Sequence, residues 1–321
     1  MELSVIIPVL NEAGTLPELF RTLAAQRDVE PEIIVCDGGS TDGTVELALR
    51  LARDLPFPVL VTRSEPGRAQ QLNAGVAASR GEVLLFLHAD SLFRDRTAFR
   101  KGLNLLASAI ADKGHDRFAG HFALRFDRQD NVPSWGYYHF ECKARLDRRE
   151  CTHGDQGFLL RRSFFETVGP FDASIPMLAE TRLAEAVRTC GTWLLLPAEI
   201  HTSARRFESE GLLERQTLNA IITNFADMGW EAFFRELPQI YGSRENIRRL
   251  DLPAFLRRTG ELMAALPPHD RRRLWRETGR YVRDNAWQIA LLLDTRRNFR
   301  RGIPAGAGKL SLLRFYDRYL D

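Results

Sequence analysis

The sequence predicts an α/β fold with a mostly parallel, doubly wound sheet flanked by helices. Apolar runs of four to seven residues recur along the first part of the chain, and helical stretches separate them. This alternation is typical of strands that lie parallel in one sheet. The chain has 321 residues, of which 44% are hydrophobic, so it can bury a sizeable core.

The first two predicted strands are Leu3–Val9 and Glu32–Cys36, with a predicted helix over Thr15–Ala25 between them. The second strand ends at Asp37 and is followed by two glycines, which permit a tight turn and a close approach of backbone to a ligand. Their spacing matches neither a P-loop nor a dinucleotide-binding loop. We therefore expect a ligand-binding turn of another kind at this strand end.

Two further strands are predicted at Val59–Thr62 and Val83–Leu87, on either side of a helical stretch. The second of them is a continuous apolar run, which is typical of a parallel strand buried on both faces. Ligands of open α/β sheets bind at the carboxyl ends of such strands, where Asp90 follows. This predicts that Asp90 binds a divalent metal, and the alternative is that it caps a helix beginning near Arg96.

Four segments resemble family 2 glycosyltransferases in order and spacing: Ser4–Glu12 (SVIIPVLNE), Val35–Thr44 (VCDGGSTDGT), Gly67–Gly75 (GRAQQLNAG) and Leu85–Asp90 (LFLHAD). The likeness is greatest to a bacterial subgroup whose metal motif reads His-Ala-Asp and which carries a later Gly-Asp-Gln segment, here at 154–156. The resemblance covers about the first three quarters of the chain. It implies a GT-A (Rossmann-like) fold, a nucleotide-diphosphate sugar donor, with a UDP-sugar as the first expectation, and a divalent cation.

The resemblance also implies a donor site. Asp37 is expected to accept hydrogen bonds from the base or ribose, and Arg68 to face the base or the phosphates. One arginine of a later basic pair is expected to reach the diphosphate, because the planar donor fork of arginine suits phosphate. A solvated basic pair is the alternative for those two arginines. The side chains expected to contact the nucleotide-sugar are Pro8, Glu12, Asp37, Arg68, Asp155, Gln156, Arg205 and Arg206.

The expected metal is Mg²⁺ or Mn²⁺ on Asp90, where it would stabilise the negative charge of the departing nucleoside diphosphate. His88 departs from the Asp-x-Asp pattern of the broader family and removes one anionic ligand. Either the metal is held loosely or His88 supplies a nitrogen ligand, which Mn²⁺ tolerates better. The other interpretation is that His88 is only hydrogen-bonded near the strand end.

An inverting transfer needs a general base, which the family usually supplies as the aspartate of a Glu-Asp pair. This chain has no such pair, and the matching positions hold Ala179 and Glu180. Glu180 is therefore the predicted base, with Glu185 as a second choice. The alternative for Glu180 is a first-turn helix residue favoured by the macrodipole. Two other functions stay open: a catalytically inactive nucleotide-sugar-binding protein and a nucleotidyltransferase.

The region between these motifs is expected to form the acceptor side. A partly alternating stretch, Gly120–Phe126, predicts a strand, and the aromatic and basic stretch Trp135–Arg149 predicts a helix or loop. Trp135 and two neighbouring tyrosines are either platforms for sugar rings or core residues. The four cysteines form no C-x-x-C pair, so reduced thiols are expected. A zinc site is not expected, because no common spacing fits the four residues His139, Cys142, Cys151 and His153.

We predict two domains: a catalytic domain over residues 1–244 and a basic helical extension over residues 245–321. The extension holds 17 Lys and Arg against 9 Asp and Glu, while the chain as a whole has a net charge of +3. Its predicted helices are Phe255–Leu266 and Asp270–Leu293. The predicted linker Gly302–Gly308 separates them from a last segment, Lys309–Asp321, that either docks or stays mobile.

A basic amphipathic extension can lie on an anionic membrane surface, which would suit a lipid or carotenoid acceptor. A helical cap on the catalytic domain or a dimer interface is the alternative. No apolar stretch reaches the about 20 residues needed to span a bilayer. Nucleic-acid binding is not expected, because the rest of the chain is net acidic and no recognition motif is present. We expect a cytoplasmic location with peripheral contact at the inner face of the membrane.

Overall fold

A computed structural model describes residues 2–130, 132–174, 178–241 and 249–320. The chain divides into two compact units. The first comprises Met1–Asp127 with Glu141–Ser203, and the second comprises Arg128–Phe140 with Ala204–Asp321. The domain boundary predicted between residues 244 and 245 lies outside the described residues and stays a prediction.

The first unit is built on a seven-stranded sheet in the described residues. The strands are β1 (Leu3–Val9), β2 (Glu32–Asp37), β3 (Val59–Arg63), β4 (Val83–Phe86), β5 (Phe118–Asp127), β6 (Phe158–Arg161) and β7 (Thr192–Ser203). Their order across the sheet is β3-β2-β1-β4-β6-β5-β7. Only β6 is antiparallel to its neighbours, β4 and β5, and the other described pairs are parallel. The predicted mostly parallel α/β fold is confirmed.

The sheet is covered on both faces, as the continuous apolar strands predict. Val5 and Leu85 belong to one buried apolar cluster, whereas their chain neighbours Ile6 and Leu84 belong to another. Successive side chains of a strand point to opposite faces, so the two clusters lie on opposite sides of the sheet. The face of the sheet that carries Ile6 is packed very closely against Gly75, where a Cβ would overlap Ile6 Cγ2.

Seven helices begin in the part of the chain before residue 192 that the structure describes. They are α1 (Leu16–Ala24), α2 (Thr44–Leu51), α3 (Arg68–Ala78), α4 (Ala98–Lys113), α5 (Trp135–Lys143), α6 (Arg162–Val168) and α7 (Ala179–Cys190). Helix α5 begins in the second unit and ends in the first. The predicted helix over Thr15–Ala25 is confirmed as α1, one residue shorter at each end. The predicted strand in Gly120–Phe126 lies within β5.

The rest of the second unit is helical in its described residues. Its helices are α8 (Arg205–Glu210), α9 (Leu212–Asp227), α10 (Glu231–Tyr241), α11 (Leu252–Ala264), α12 (Pro268–Asp284), α13 (Trp287–Arg300) and α14 (Ser311–Tyr319). The prediction of one helix over Asp270–Leu293 is wrong, because the chain breaks between α12 and α13 at Asn285 and Ala286. No described helix is long and apolar enough to cross a membrane.

The last segment of the chain is docked within the second unit. Residues 302–308 contain no helix or strand, as the predicted linker requires. Beyond them, Leu313 of α14 is buried and its backbone N–H donates to Asp294 Oδ2 at 2.9 Å. Of the two fates predicted for Lys309–Asp321, docking is the one observed for its described residues.

Candidate active site

The turns after β1 and β2 are tied together at the carboxyl edge of the sheet. Val9 pairs in register with Asp37, so the two strands end side by side. Asp37 is buried, and its carboxylate accepts from the backbone N–H groups of Gly39 and Ser40 at 3.1 and 3.0 Å. The backbone N–H of Asn11, a residue with φ of 56°, donates to Ser40 Oγ at 2.9 Å. Asp37 therefore orders the turn that is predicted to hold the nucleotide.

Gln71 of α3 fixes the same edge from beneath. Its buried amide Nε2 donates to the carbonyls of Val9 and Cys36 at 2.6 and 2.8 Å. The Gly38 backbone lies so close to this amide that a Cβ on it would stand 2.9 Å from Gln71 Cδ. Gln71 thereby joins the ends of β1 and β2 and contacts the turn that follows β2.

Three charged or titratable side chains converge next to these turns. Arg68 stands at the first position of α3, His88 follows β4, and Glu180 lies in the first turn of α7. His88 Nε2 lies 2.6 Å from Glu180 Oε1 and 2.6 Å from Arg68 Nη1, and Arg68 Nη1 donates to Glu180 Oε2 at 3.3 Å. With a proton on Nε2, His88 donates to the Glu180 carboxylate, and without that proton it accepts from the Arg68 guanidinium. The tautomer of His88 therefore decides which of these two hydrogen bonds forms.

Glu180 is held as a carboxylate by these two neighbours. Burial alone raises the pKa of Glu180, but the charges of His88 and Arg68 and their hydrogen bonds outweigh it and lower the pKa to about 2. The Glu180 side chain is 17% exposed, so little water screens these interactions. In this arrangement Glu180 is ionised at neutral pH and is a weak base.

The short 3₁₀ turn Gly154–Gln156 packs against Glu180. A Cβ on Gly154 would overlap Glu180 Oε1 and Cδ, so the carboxylate rests on the bare backbone there. Asp155 Oδ1 is buried and has no hydrogen-bond partner in the described residues. Burial raises the pKa of Asp155, and the nearby carboxylates of Glu180 and Asp90 raise it further, while His153 and His88 lower it. Asp155 directly follows the glycine that contacts Glu180, and Asp90 follows His88, the other neighbour of Glu180, by two residues.

Asp90 lies just beyond β4 and is partly exposed, and its carboxylate has no hydrogen-bond partner among the described residues. A hard oxygen donor of this kind fits Mg²⁺ or Mn²⁺. The orphaned oxygen of Asp155 nearby is a second acceptor of the same character. No group of three His, Cys, Asp or Glu side chains in the described residues forms a metal cage. The residues therefore fit a metal that takes most of its ligands from the diphosphate and from water.

Gln156 does not fit the predicted contact with the donor sugar. Its side chain is buried, its Nε2 donates to the Ala144 carbonyl at 2.7 Å, and its Oε1 accepts from the His153 backbone N–H at 2.7 Å. Nε2 also lies 3.0 Å from His121 Nδ1. Because the amide is fully engaged within the protein, the geometry gives Gln156 a positioning role for the turn that carries Asp155.

The remaining donor residues are divided between the two units. Pro8 is buried in β1 opposite Cys36, and the Glu12 carboxylate accepts from the Thr15 hydroxyl at 2.9 Å, so both lie at the edge where a nucleotide is predicted. The pair 205–206 opens α8 in the second unit, where the Arg206 guanidinium donates to Glu210 at 2.9 Å. The predicted contact of Arg205 or Arg206 with the diphosphate stays a prediction.

The two tyrosines on the expected acceptor side are core residues, and the cysteines form no disulfide or metal site in the described part of the chain. Tyr137 and Tyr138 are buried, which favours the core assignment over a sugar platform. All four cysteines are free thiols, as predicted. The four residues dismissed as a zinc site form no metal-binding group in the described part of the chain.

The meeting of Arg68, His88 and Glu180 is not evident from the sequence. Positions 68, 88 and 180 stand far apart in the chain, and no local pattern links them. The contact of Gln71 with the ends of β1 and β2 is not evident from the sequence either, because its motif has the pattern of an ordinary helix start. The sequence signal is that His88 and Glu180 both depart from the family pattern, but this signal does not show that the two side chains meet.

Comparison with known proteins identifies the chain. The model of the family "Glycosyl transferase family 2" matches residues 4–169, which is more than half of the sequence. The chain belongs to glycosyl transferase family 2. This confirms the resemblance to the family, and the matched range contains β2 to β6 and all of β1 except Leu3.

Relatives of this family 2 member include named glycosyltransferases. A "PGL/p-HBAD biosynthesis glycosyltransferase" of Mycobacterium bovis is 33% identical over 180 residues, which are 55% of this chain and 66% of the relative. An "Undecaprenyl-phosphate 4-deoxy-4-formamido-L-arabinose transferase" of Pseudomonas syringae is 36% identical over 92 residues, 27% of each protein. The matches thus cover less than two thirds of these relatives.

Solved structures share the fold of the family 2 chain at low identity. S. aureus TarS 1-349 in complex with UDP aligns with a TM-score of 0.50 and 17% identity, covering 99% of this chain and 92% of TarS. A mannosyltransferase from Pyrobaculum calidifontis in complex with GDP-Man and Mn²⁺ aligns with a TM-score of 0.50 and 18% identity, covering 92% and 86%. The predicted GT-A fold with C-terminal helices is confirmed.

Proposed function

We propose that this protein transfers a sugar from a nucleotide-diphosphate donor to an acceptor hydroxyl, with inversion at the anomeric carbon and with a divalent cation. The observation that carries the proposal is the convergence of Arg68, His88 and Glu180 beside Asp90 and Asp155 at the carboxyl edge of the sheet. Cations, a free carboxylate and a candidate base are the groups that such a transfer needs.

In the proposed reaction, the acceptor hydroxyl gives its proton to Glu180 while its oxygen forms a bond to the anomeric carbon. The bond from that carbon to the nucleoside diphosphate breaks on the opposite face, so the configuration inverts and the leaving group keeps the electron pair. Asp90 would hold a Mg²⁺ or Mn²⁺ ion, which when bound neutralises the charge of the leaving diphosphate. Asp155 would hydrogen-bond the donor sugar.

Arg68 links donor binding to the strength of the base in this proposal. Its side chain is 42% exposed, so it can turn to a bound phosphate by giving up its 3.3 Å ion pair with Glu180 and its 2.6 Å contact with His88. Losing that cation removes one of the two neighbours that lower the pKa of Glu180, while burial continues to raise it. Glu180 would then become a stronger base when the donor is in place.

The proposed donor is a UDP-sugar, and the proposed acceptor is the hydroxyl of a lipid or a carotenoid. The UDP of the TarS structure supports the donor class, and the lipid in the name of the Pseudomonas relative supports a lipid acceptor. The GDP-Man and Mn²⁺ of the archaeal neighbour keep a GDP-sugar as the competing donor and support a divalent cation.

The first experiment is calorimetric titration with UDP-, GDP- and TDP-sugars, each with and without Mn²⁺. We expect one donor class to bind in a metal-dependent manner, and Asp90→Asn to abolish the metal-dependent part. Asp112→Asn, which changes an exposed carboxylate on α4, is the matched control and should bind like the wild type. Failure of every donor to bind with or without metal contradicts the proposal.

A second candidate function is nucleotide-sugar binding without transfer, and the tight pairing of Glu180 with Arg68 and His88 favours it. Donor turnover separates the two functions. The enzyme should hydrolyse or transfer its donor slowly even without the native acceptor, and Glu180→Gln should reduce that rate by about 10²- to 10⁴-fold while donor affinity is retained. An equal, negligible rate in both proteins would establish the binding function instead.

A further inference from the structure

The last helix of the chain exposes an apolar face that the described residues leave uncovered. Leu312, Phe315 and Tyr319 recur at the spacing of one helix face, and Phe315 is 55% exposed. The Phe315 and Tyr319 rings contact each other at a centroid distance of 4.9 Å. The buried Leu313 holds the helix in place from another side. Helix α14 is therefore docked and still presents an apolar surface.

Helix α13 shows the same division. Trp287 and Leu291 are buried on one side, whereas Ile289, Leu292 and Leu293 are exposed on the other, Ile289 by 65%. The spacing of three and four residues places these three side chains on one face. Exposed apolar side chains scattered singly need no explanation, but two neighbouring helices with apolar outer faces do.

The charge around these faces is strongly positive. Residues 268–320 contain thirteen Lys and Arg against five Asp and Glu. Arg297, Arg300 and Arg314 are exposed and have no acidic partner among the residues that the structure describes. The uncompensated arginines lie on the same helices as the exposed apolar residues.

We propose that the outer faces of α13 and α14 dock on an anionic lipid bilayer. The apolar side chains would enter the boundary between headgroups and acyl chains, and the arginines beside them would meet the lipid phosphates. A second copy of the chain is a poorer partner, because a two-fold contact would bring the same arginine-rich face against itself. The inference concerns a surface in the second unit and goes beyond the proposed sugar transfer.

The test is flotation of the full-length protein with lipid vesicles, without any nucleotide-sugar. We expect it to float with vesicles of phosphatidylcholine and phosphatidylglycerol and to stay behind with vesicles of phosphatidylcholine alone. Leu312→Ser with Phe315→Ser should weaken binding at least about tenfold through lost apolar burial. Arg314→Gln with Arg318→Gln should weaken it about fivefold for each arginine, since each basic residue contributes about 1 kcal/mol near an anionic surface.

Matched controls lie elsewhere in the second unit. Leu213→Ser changes a leucine on α9 that is 75% exposed, and Arg257→Gln changes an exposed arginine on α11. Both should bind vesicles like the wild type. The arginine variants alter only exposed side chains, so they keep the test valid if the double serine variant fails to fold.

Three results would overturn the inference. Equal flotation with neutral and anionic vesicles would show that the arginines do not contribute to binding. Absence of flotation with either kind of vesicle would show that these helix faces do not bind a bilayer. A dimer in sedimentation velocity that Phe315→Ser dissociates, without vesicle binding by the monomer, assigns the face to a second copy. Because no donor is present, each result is independent of whether the protein transfers a sugar.

Discussion

Glu180 is the residue on whose pKa the surroundings have the most directly opposed effects. Burial favours the neutral acid, whereas His88 and Arg68 favour the carboxylate, and the second influence prevails. An isolated ionised carboxylate at this depth would be costly, so the contacts with Arg68 and His88 stabilise the folded protein while they weaken Glu180 as the proposed base. The proposed chemistry and the stability are thus linked at one side chain, and the link can be measured through pH.

We expect Glu180 to stabilise the protein in a pH-dependent manner. Its pKa falls from 4.5 to about 2 on folding, so its contribution is fully present above pH 4.5 and is lost as the pH falls toward 2. The full shift corresponds to about 3 kcal/mol. In urea unfolding, the stability difference between the wild type and Glu180→Gln should stay constant above pH 4.5 and shrink as the pH falls below that value.

The control for this experiment lies on the same helix. Glu185→Gln removes one partner of the partly exposed Arg149–Glu185 ion pair, and such surface pairs contribute little. Its stability difference from the wild type should therefore change far less over the same pH range. A Glu180→Gln difference that is independent of pH would show that Arg68 and His88 do not hold the carboxylate in solution.

Gly154 should control the position of Glu180. In Gly154→Ala the new Cβ overlaps the Glu180 carboxylate, which is the flexible end of a side chain and can move aside. We expect a small loss of stability and a fall in kcat of at least about tenfold, since a misplaced base loses its reach to the acceptor proton. Donor affinity from calorimetry should change little, and a variant with wild-type kcat would remove Glu180 from the reaction.

At the scale of elements, what the sequence predicts depends on how local the signal is. The run Leu3–Val9 is the strand β1 without any change in its bounds, because an apolar run between polar residues is a local signal. Helix α12 ends at Asp284 rather than continuing, although the apolar period goes on, because tertiary packing decides such a break.

The site shows the same limit. Asp37 and Asp90 could be placed at one sheet edge from the strand ends alone, as the register of β1 with β2 and β4 confirms. The ion pairs of Glu180 could not be predicted in this way. Helix α7 reaches this edge only through the antiparallel β6 and the segments around it. Contacts between residues far apart in the chain are set by topology and leave no local pattern.

The packing of α3 on the sheet yields a prediction about an element. In Gly75→Ala the new Cβ would overlap Ile6 Cγ2 and lie 2.6 Å from Cys36 Sγ, so the helix that carries Arg68 must move outward. We expect a loss of about 1–3 kcal/mol in the free energy of unfolding, as for other overpacked cores.

A second glycine within a helix is the matched control for Gly75→Ala. At Gly279 of α12 no heavy atom lies within 4 Å of the position that a Cβ would take, so Gly279→Ala should leave stability unchanged or raise it by up to about 1 kcal/mol. Thermal unfolding followed by circular dichroism compares the two variants. If both alanines raise the unfolding temperature, the close approach of α3 to β1 is not present in solution.

At the scale of the whole molecule, the two compact units carry different surfaces. The first holds the charged cluster at the carboxyl edge of the sheet, and the second holds the helices with unpaired arginines. Six of the eight residues predicted to contact the nucleotide-sugar belong to the first unit, and the remaining two, Arg205 and Arg206, belong to the second. The binding of a donor can therefore be localised by unit.

We expect hydrogen exchange to show donor binding in the first unit. With a bound donor and Mn²⁺, backbone amides of the turns 10–14, 38–43 and 87–91 should exchange more slowly, because a ligand that binds only the folded state suppresses local opening. Asp90→Asn should remove the metal-dependent part of that protection. Amides of α12 to α14 should exchange at unchanged rates, which serves as the internal control. Slower exchange in α8 would assign the diphosphate contact to Arg205 or Arg206, whereas protection confined to α12 to α14 would contradict a donor site at the sheet edge.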